Sequence, residues 1–189
     1  MDSKIYSLDK GINRMKKRVK CLAAVFFLAA ALSGCMADPY EDGVEALKEG
    51  QFEEAARQFQ EAADQNRSKA DSYRGLGISL WETEDYEGAK AAFENVLKEG
   101  GAKTGTLYHF LGSCELKTDN PEKAIEYFEQ ALKDEKISDE VKQEMRFNSI
   151  AAYEKRGDMD TARTLLKEYV ADYPDDESAV KEAQFWETR

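Results

Sequence analysis

The chain has 189 residues, enough for one domain or two small ones, and 34% of them are charged against roughly 25% in an average globular protein. Seven of its 27 basic residues and two of its 38 acidic ones precede Cys35, so the remainder holds 20 basic against 36 acidic residues, a net charge near −16. Such a surface repels nucleic acid and anionic headgroups, no basic stripe with interleaved aromatics offsets it, and a single histidine is too few for a His-based metal site.

In chain order the first element is a basic cluster, Lys16, Lys17, Arg18 and Lys20, followed by eleven uninterrupted apolar residues, 21–31. A spanning helix needs about 20 apolar residues. A positive start, a short apolar run and small residues at its end describe an export signal over residues 1–34. Met15 stands just before the basic cluster, so residues 1–14 are either an extension of the signal or precede the true start. The end of the run, Leu32-Ser33-Gly34-Cys35, resembles the lipobox of bacterial lipoprotein signals. That resemblance implies a diacylglyceryl group on the Cys35 thiol and cleavage before it, leaving the chain anchored on the extracytoplasmic face of a membrane. Two acyl chains hold a protein stably where one does so only marginally. The alternative is an uncleaved anchor with Cys35 an ordinary small residue. With Cys21 removed and Cys35 acylated, Cys114 is the remaining thiol, and no internal disulfide can form.

Asp38-Pro39 marks the first helix start, as N-cap and first helical residue. Beyond it, four phrases align without gaps: GQFEEAARQFQEA, EDYEGAKAAFENVL, DNPEKAIEYFEQAL and GDMDTARTLLKEYV. Each carries an alanine (Ala55, Ala89, Ala124, Ala162) and an apolar residue four later (Phe59, Phe93, Phe128, Leu166), one face of an amphipathic helix. A second helical stretch precedes each phrase. In the first three a glycine stands twelve residues before the alanine, at Gly43, Gly77 and Gly112. Mid-helix glycine costs about 1 kcal/mol relative to alanine, so the shared register predicts close approach of paired helices. The alanines are spaced by 34, 35 and 38 residues, and the extra residues fall in the loop-like EGGAKTG and DEKISDE. Pro39 and Pro121 stand at helix starts, and Pro174 follows a helix end.

These features resemble the tetratricopeptide repeat family, a 34-residue helix-turn-helix unit. Its signature matches Tyr73, Leu76, Gly77 and Leu80 in the second repeat and Tyr108, Leu111 and Gly112 in the third. The resemblance implies an all-α, right-handed α-solenoid over residues 37–176, with repeats at about 36–69, 70–103, 105–138 and 143–176. A capping helix would span 177–189, with Ala179, Val180, Ala183 and Trp186 covering the last repeat. The end repeats depart from the pattern: Pro39 and Asp42 stand where an aromatic and Leu are usual, and Ser149-Ile150 replaces Leu-Gly. In the third repeat Glu115 replaces an expected Tyr. A plain antiparallel bundle is the structural alternative.

No Ser-His-Asp or Cys-His grouping can be assembled from one histidine and one retained thiol, and no glycine-rich phosphate loop opens a helix. Cys114 reads as a small buried hydrophobe, with a redox thiol as the alternative. The expectation is therefore no enzyme, no cofactor, no metal and no small-molecule substrate. The family resemblance implies instead a concave groove that takes a protein or peptide segment. By register its lining is Tyr40, Val44 and Leu47, then Arg74, Ile78 and Trp81. The third repeat adds His109, Ser113, Leu116 and Lys117, and the fourth Phe147, Ala151 and Lys155. Tyr40, Val44 and Ile78 stand where a carboxylate clamp wants polar groups, so a clamp is not expected. An apolar floor of Val44, Ile78, Trp81 and Leu116 flanked by Arg74, His109, Lys117 and Lys155 predicts an apolar, somewhat acidic partner segment. Several of these side chains could equally pack between repeats. The functional expectation is a lipid-anchored interaction scaffold in a bacterial envelope; the alternative is a cytosolic or signal-anchored adaptor.

Overall fold

The computed structural model describes residues 38–188, so Cys35 and the 1–34 signal lie outside the described residues. Those described form nine helices and no strand: α1 (Pro39–Lys48), α2 (Phe52–Asp64), α3 (Lys69–Glu82), α4 (Tyr86–Lys98), α5 (Gly105–Lys117), α6 (Pro121–Ala131), α7 (Asp139–Arg156), α8 (Met159–Asp172) and α9 (Glu177–Glu187). None of them is long and apolar enough to cross a membrane.

Local chemistry sets the helix ends. Asp38 accepts the Tyr40 amide at 3.1 Å, with Pro39 at the first helical position. Asp85, Thr104, Ser138 and Asp158 each take an amide three residues on, satisfying donors the helix leaves open. The turn inside each repeat is one motif used four times. The amides of Gln51, Asp85, Asn120 and Asp158 donate five residues back to the carbonyls of Ala46, Leu80, Glu115 and Tyr153, at 2.8–3.0 Å. The residue before each donor is left-handed: Gly50 (φ 72°), Glu84 (64°), Asp119 (66°) and Gly157 (85°). This is the Schellman closure, natural for glycine and costing an L-residue about 1–2 kcal/mol.

The register alanines Ala55, Ala89, Ala124 and Ala162 are fully buried, and Phe59, Phe93, Phe128 and Leu166 are at most 2% exposed. Burying such a side chain contributes about 1.5–3 kcal/mol. The glycine register has the predicted steric cause. A Cβ on Gly43 would stand 2.9 Å from the Phe59 ring, and one on Gly77 or Gly112 would stand 2.6 Å from Phe93 or Phe128. Gly75 of the second repeat also meets the Phe59 ring, at 2.5 Å, so one phenyl is seated on glycines from two successive repeats. The place of Gly75 is taken one repeat later by Phe110, which stacks on Phe93 with centroids 5.0 Å apart. The first interface is correspondingly closer: α2 meets α3 more extensively than α4 meets α5.

Packing runs along the chain, each helix against its successor, with α1 also touching α3 and α5 touching α7. That nearest-neighbour pattern is an α-solenoid. At its end, Ala179, Ala183 and Trp186 of α9 pack against a cluster containing Ile150, Leu166 and Tyr169, whereas Val180 is outside that cluster. The Tyr169 hydroxyl accepts from Gln143 and donates to Asp176, both at 3.0 Å, and Asp176 caps α9 through the amides of Ser178 and Ala179. One phenol therefore ties α7, α8 and the capping helix together.

Candidate protein-binding surfaces

The first helices of the repeats, α1, α3, α5 and α7, carry all of the groove positions expected from sequence. Tyr40, Val44 and Leu47 on α1 are partly exposed and rest on a core of Ala46, Ala55, Phe59 and Leu76. The Tyr40 ring meets Phe59 edge-on at 6.0 Å, and burial raises its hydroxyl pKa. Ile78 and Trp81 on α3 are also partly exposed. Trp81 is an inter-repeat contact as well, edge-on to Tyr86 at 5.0 Å and to Phe110 of the third repeat at 5.8 Å. Phe147 and Ala151 on α7 are partly exposed, Phe147 lying 5.3 Å from Tyr169.

The third repeat does not present its predicted lining. Leu116 is 2% exposed and belongs to a core with Ala124, Phe128, Met145 and Ala152. His109 is 7% and Ser113 4% exposed. The cause is α7, whose 18 residues exceed the 13 of α5 and bring Met145 and Ala152 into Leu116's cluster and Glu144 to His109. Leu116 and His109 are therefore packing residues, and the apolar floor reduces to Val44, Ile78 and part of Trp81.

Most of the cationic flank is already paired. Arg74 pairs with Asp71 at 2.6 Å, and Lys155 with Asp119 at 2.8 Å. His109 Nε2 stands 3.6 Å from Glu144, whose carboxyl it holds below the ordinary range. Lys117 lies 5.3 Å over the Tyr86 ring. With these partners in place, only Lys117 on this face keeps a charge without an acidic partner among the described residues, and the selection of an acidic segment is correspondingly weak.

The tetratricopeptide repeat model matches residues 40–102 and 75–140, and a second model of the same description matches 115–184. The chain belongs to the tetratricopeptide repeat family. No curated protein matches it. Among solved structures it is similar to YrrB, described as a TPR protein with an unusual peptide-binding site, at 24% identity, TM-score 0.66, and 77% of this chain against 72% of that one. It is also similar to MamA from Desulfovibrio magneticus RS-1, at 19% identity, TM-score 0.66, and 80% against 85% coverage. At these identities the likeness shows the fold.

Two features of the tetratricopeptide array go beyond what the sequence shows: an exposed phenylalanine on the capping helix, and the burial and pairing of Glu115. Phe185 on α9 is 52% exposed. It lies 34 residues past Ala151, as Ile78 lies 34 past Val44, so carrying the register one step further into the capping helix finds it. Glu182, one turn earlier on the same side of α9, hydrogen-bonds Glu154 of α7, which sets Phe185 toward the first-helix side. The second is Glu115, 1% exposed in α5, with no hydrogen bond and with Lys90 and Lys123 ammonium groups at 3.6 and 3.8 Å. The neighbouring Cys114 is fully buried, and burial pushes its thiol up to about 12, which fits the small-hydrophobe reading. No group of three or more His, Cys, Asp or Glu among the described residues is placed to hold a metal.

Proposed function

We propose that the chain is a protein-interaction scaffold, held at a bacterial membrane by lipid on Cys35, that grips an apolar partner segment on the first-helix face of its tetratricopeptide array. The carrying observation is that Tyr40, Val44, Leu47, Ile78 and Phe147 keep part of their apolar surface exposed on the first helices, Tyr40 and Phe147 at one register and Val44 and Ile78 at the next, which Phe185 continues. Such side chains are interface anchors when a partner desolvates them. The resemblance of residues 32–35 to a lipobox supports the membrane attachment, and Asp38-Pro39 starts the array three residues past the acylated thiol. An extended chain covers at most about 3.6 Å per residue, so the array stands close to the bilayer. No catalysis belongs to this reading.

Two measurements test it. A photo-crosslinker at Val44 and at Ile78, in the native host, is expected to capture the same partner, and one at Arg163, exposed on α8, is not. Capture from Arg163 alone sinks the first-helix reading. The mass of the membrane-extracted chain is expected to begin at Cys35 with a diacylglyceryl group, and Cys35→Ala is expected to abolish it. An unmodified chain retaining residues 15–34 makes the protein a cytosolic or signal-anchored adaptor instead.

A further inference from the structure

A cleft of about 620 Å³ opens between the second helices α2 and α4, above α3. Ala56, Gly88, Ala91 and Ala92 give it small walls, and Tyr73, Leu76 and Leu80 of α3 give it an apolar bottom. The repeat register shows why it is open. Tyr127 stands 35 residues past Ala92, and Tyr108 stands 35 residues past Tyr73. In the third repeat the Tyr127 and Tyr108 rings stack at 6.2 Å. In the second repeat a methyl group replaces the upper ring, and Tyr73 lines the cleft without that cover.

The rim carries two carboxylates and one arginine. Glu61 and Asp64, one turn apart on α2, hydrogen-bond only the neighbouring amide side chains of Gln65 and Gln60, at 3.0 and 2.9 Å. No ion pair among the described residues takes either carboxylate, and Arg57 on the same wall is tied to Glu54 of its own helix. The cleft thus combines an apolar bottom beside the uncovered face of Tyr73 with two carboxylates that no ion pair takes.

We propose that this cleft is a second docking site, for a partner segment that carries one aromatic side chain beside lysine or arginine. The ring fills the space over Tyr73 that Tyr127 fills over Tyr108, and the cation meets Glu61 and Asp64. Apolar burial supplies the affinity and the carboxylates fix the register. The net charge near −16 after Cys35 favours the approach of basic segments. None of these residues belongs to the first-helix row, so the site stands independently of the function proposed above.

The test is fluorescence anisotropy of a labelled twelve-residue probe containing one phenylalanine and three lysines, titrated with the full chain. Its control is the same peptide with glutamate for lysine. The basic probe is expected to bind and the acidic one is not. Ala92→Tyr, which rebuilds the missing ring, is expected to weaken binding by about tenfold or more. Ala91→Trp blocks the mouth from an exposed position and does the same should Ala92→Tyr disturb folding. Glu61→Gln with Asp64→Asn is expected to remove most of the salt dependence, and Lys167→Ala, exposed on α8 outside both surfaces, is expected to change nothing. Absence of binding at millimolar chain, equal binding of the acidic probe, or indifference to both blocking variants overturns the proposal. So does self-association of the chain that the blocking variants abolish, because the cleft is then an interface between copies.

Discussion

Replacing Gly77 by alanine sets two effects of opposite sign against each other. Helix propensity alone gives a gain of about 1 kcal/mol for Gly→Ala in a helix interior. The new Cβ, however, would stand 2.6, 2.7 and 2.8 Å from three carbons of the Phe93 ring, where ordinary contact begins at 3.4 Å. Phe93 cannot move away: it is fully buried and stacked on Phe110 at 5.0 Å. Overpacking of this kind costs about 1–3 kcal/mol, so the net expectation is a loss of about 1 kcal/mol, or about 2–4 °C in Tm for a chain of this size. Thermal and urea unfolding followed by circular dichroism measure it. In a Phe93→Leu background the smaller side chain relieves the contact, and the same glycine substitution is expected to cost less. A higher Tm for Gly77→Ala in the wild-type background would refute the steric account of the glycine register.

Removing Lys90 is expected to cost several times what removing Lys123 costs. Its side chain is 18% exposed against 64%, and losing it leaves the buried Glu115 only the exposed Lys123 at 3.8 Å, against the about 3–5 kcal/mol of a fully broken buried pair; Lys90→Met with Glu115→Leu should recover most of the loss in urea titrations. Burial and then the neighbouring Glu182 raise the Glu154 carboxyl from 4.5 to about 7. A raised carboxyl contributes stability that is full below pH 4.5 and lost as pH rises through about 7. Glu154→Gln should therefore be more stable than wild type at pH 8 and converge with it at pH 4, and parallel melting curves at the two pH values check this. Cys114, with its thiol up at about 12, should resist a thiol-reactive dye at pH 8 in the folded chain and react at once in denaturant.

The sequence legibly encoded what depends on contacts within a repeat. Ala89, Phe93 and Gly77 recur at fixed spacings because each repeat closes its own helix pair, and periodicity reports that closure directly. Contacts between repeats leave no such trace. Leu116 and Ile78 both look like groove positions, yet Leu116 is covered because Met145 and Ala152 on the longer α7 join its cluster, a matter of helix length rather than of residue type. The pairing of Arg74 and Lys155 was hidden for a related reason. Lys155 meets Asp119 from 36 residues away, and Arg74 meets an Asp71 that reads as ordinary surface. The cleft above Tyr73 is visible in sequence only as a missing ring, Ala92 against Tyr127, and a search for conserved pattern passes over a departure from it.

The seat of Phe59 on both Gly43 and Gly75 bears on whether these modules are interchangeable. Its ring is contributed by the first repeat and is lodged partly in the second, so the seam in the sequence near residue 69 is not a seam in the packing. Cutting there would strip Gly75 from the ring and leave its edge to water. Splicing the third repeat directly after the first would be worse, for Phe110 would arrive where Gly75 sits and set a phenyl against a ring that has room for a hydrogen. The first two repeats are thus a matched pair with a fixed order, and whatever module follows the first must bring a glycine to the place of Gly75.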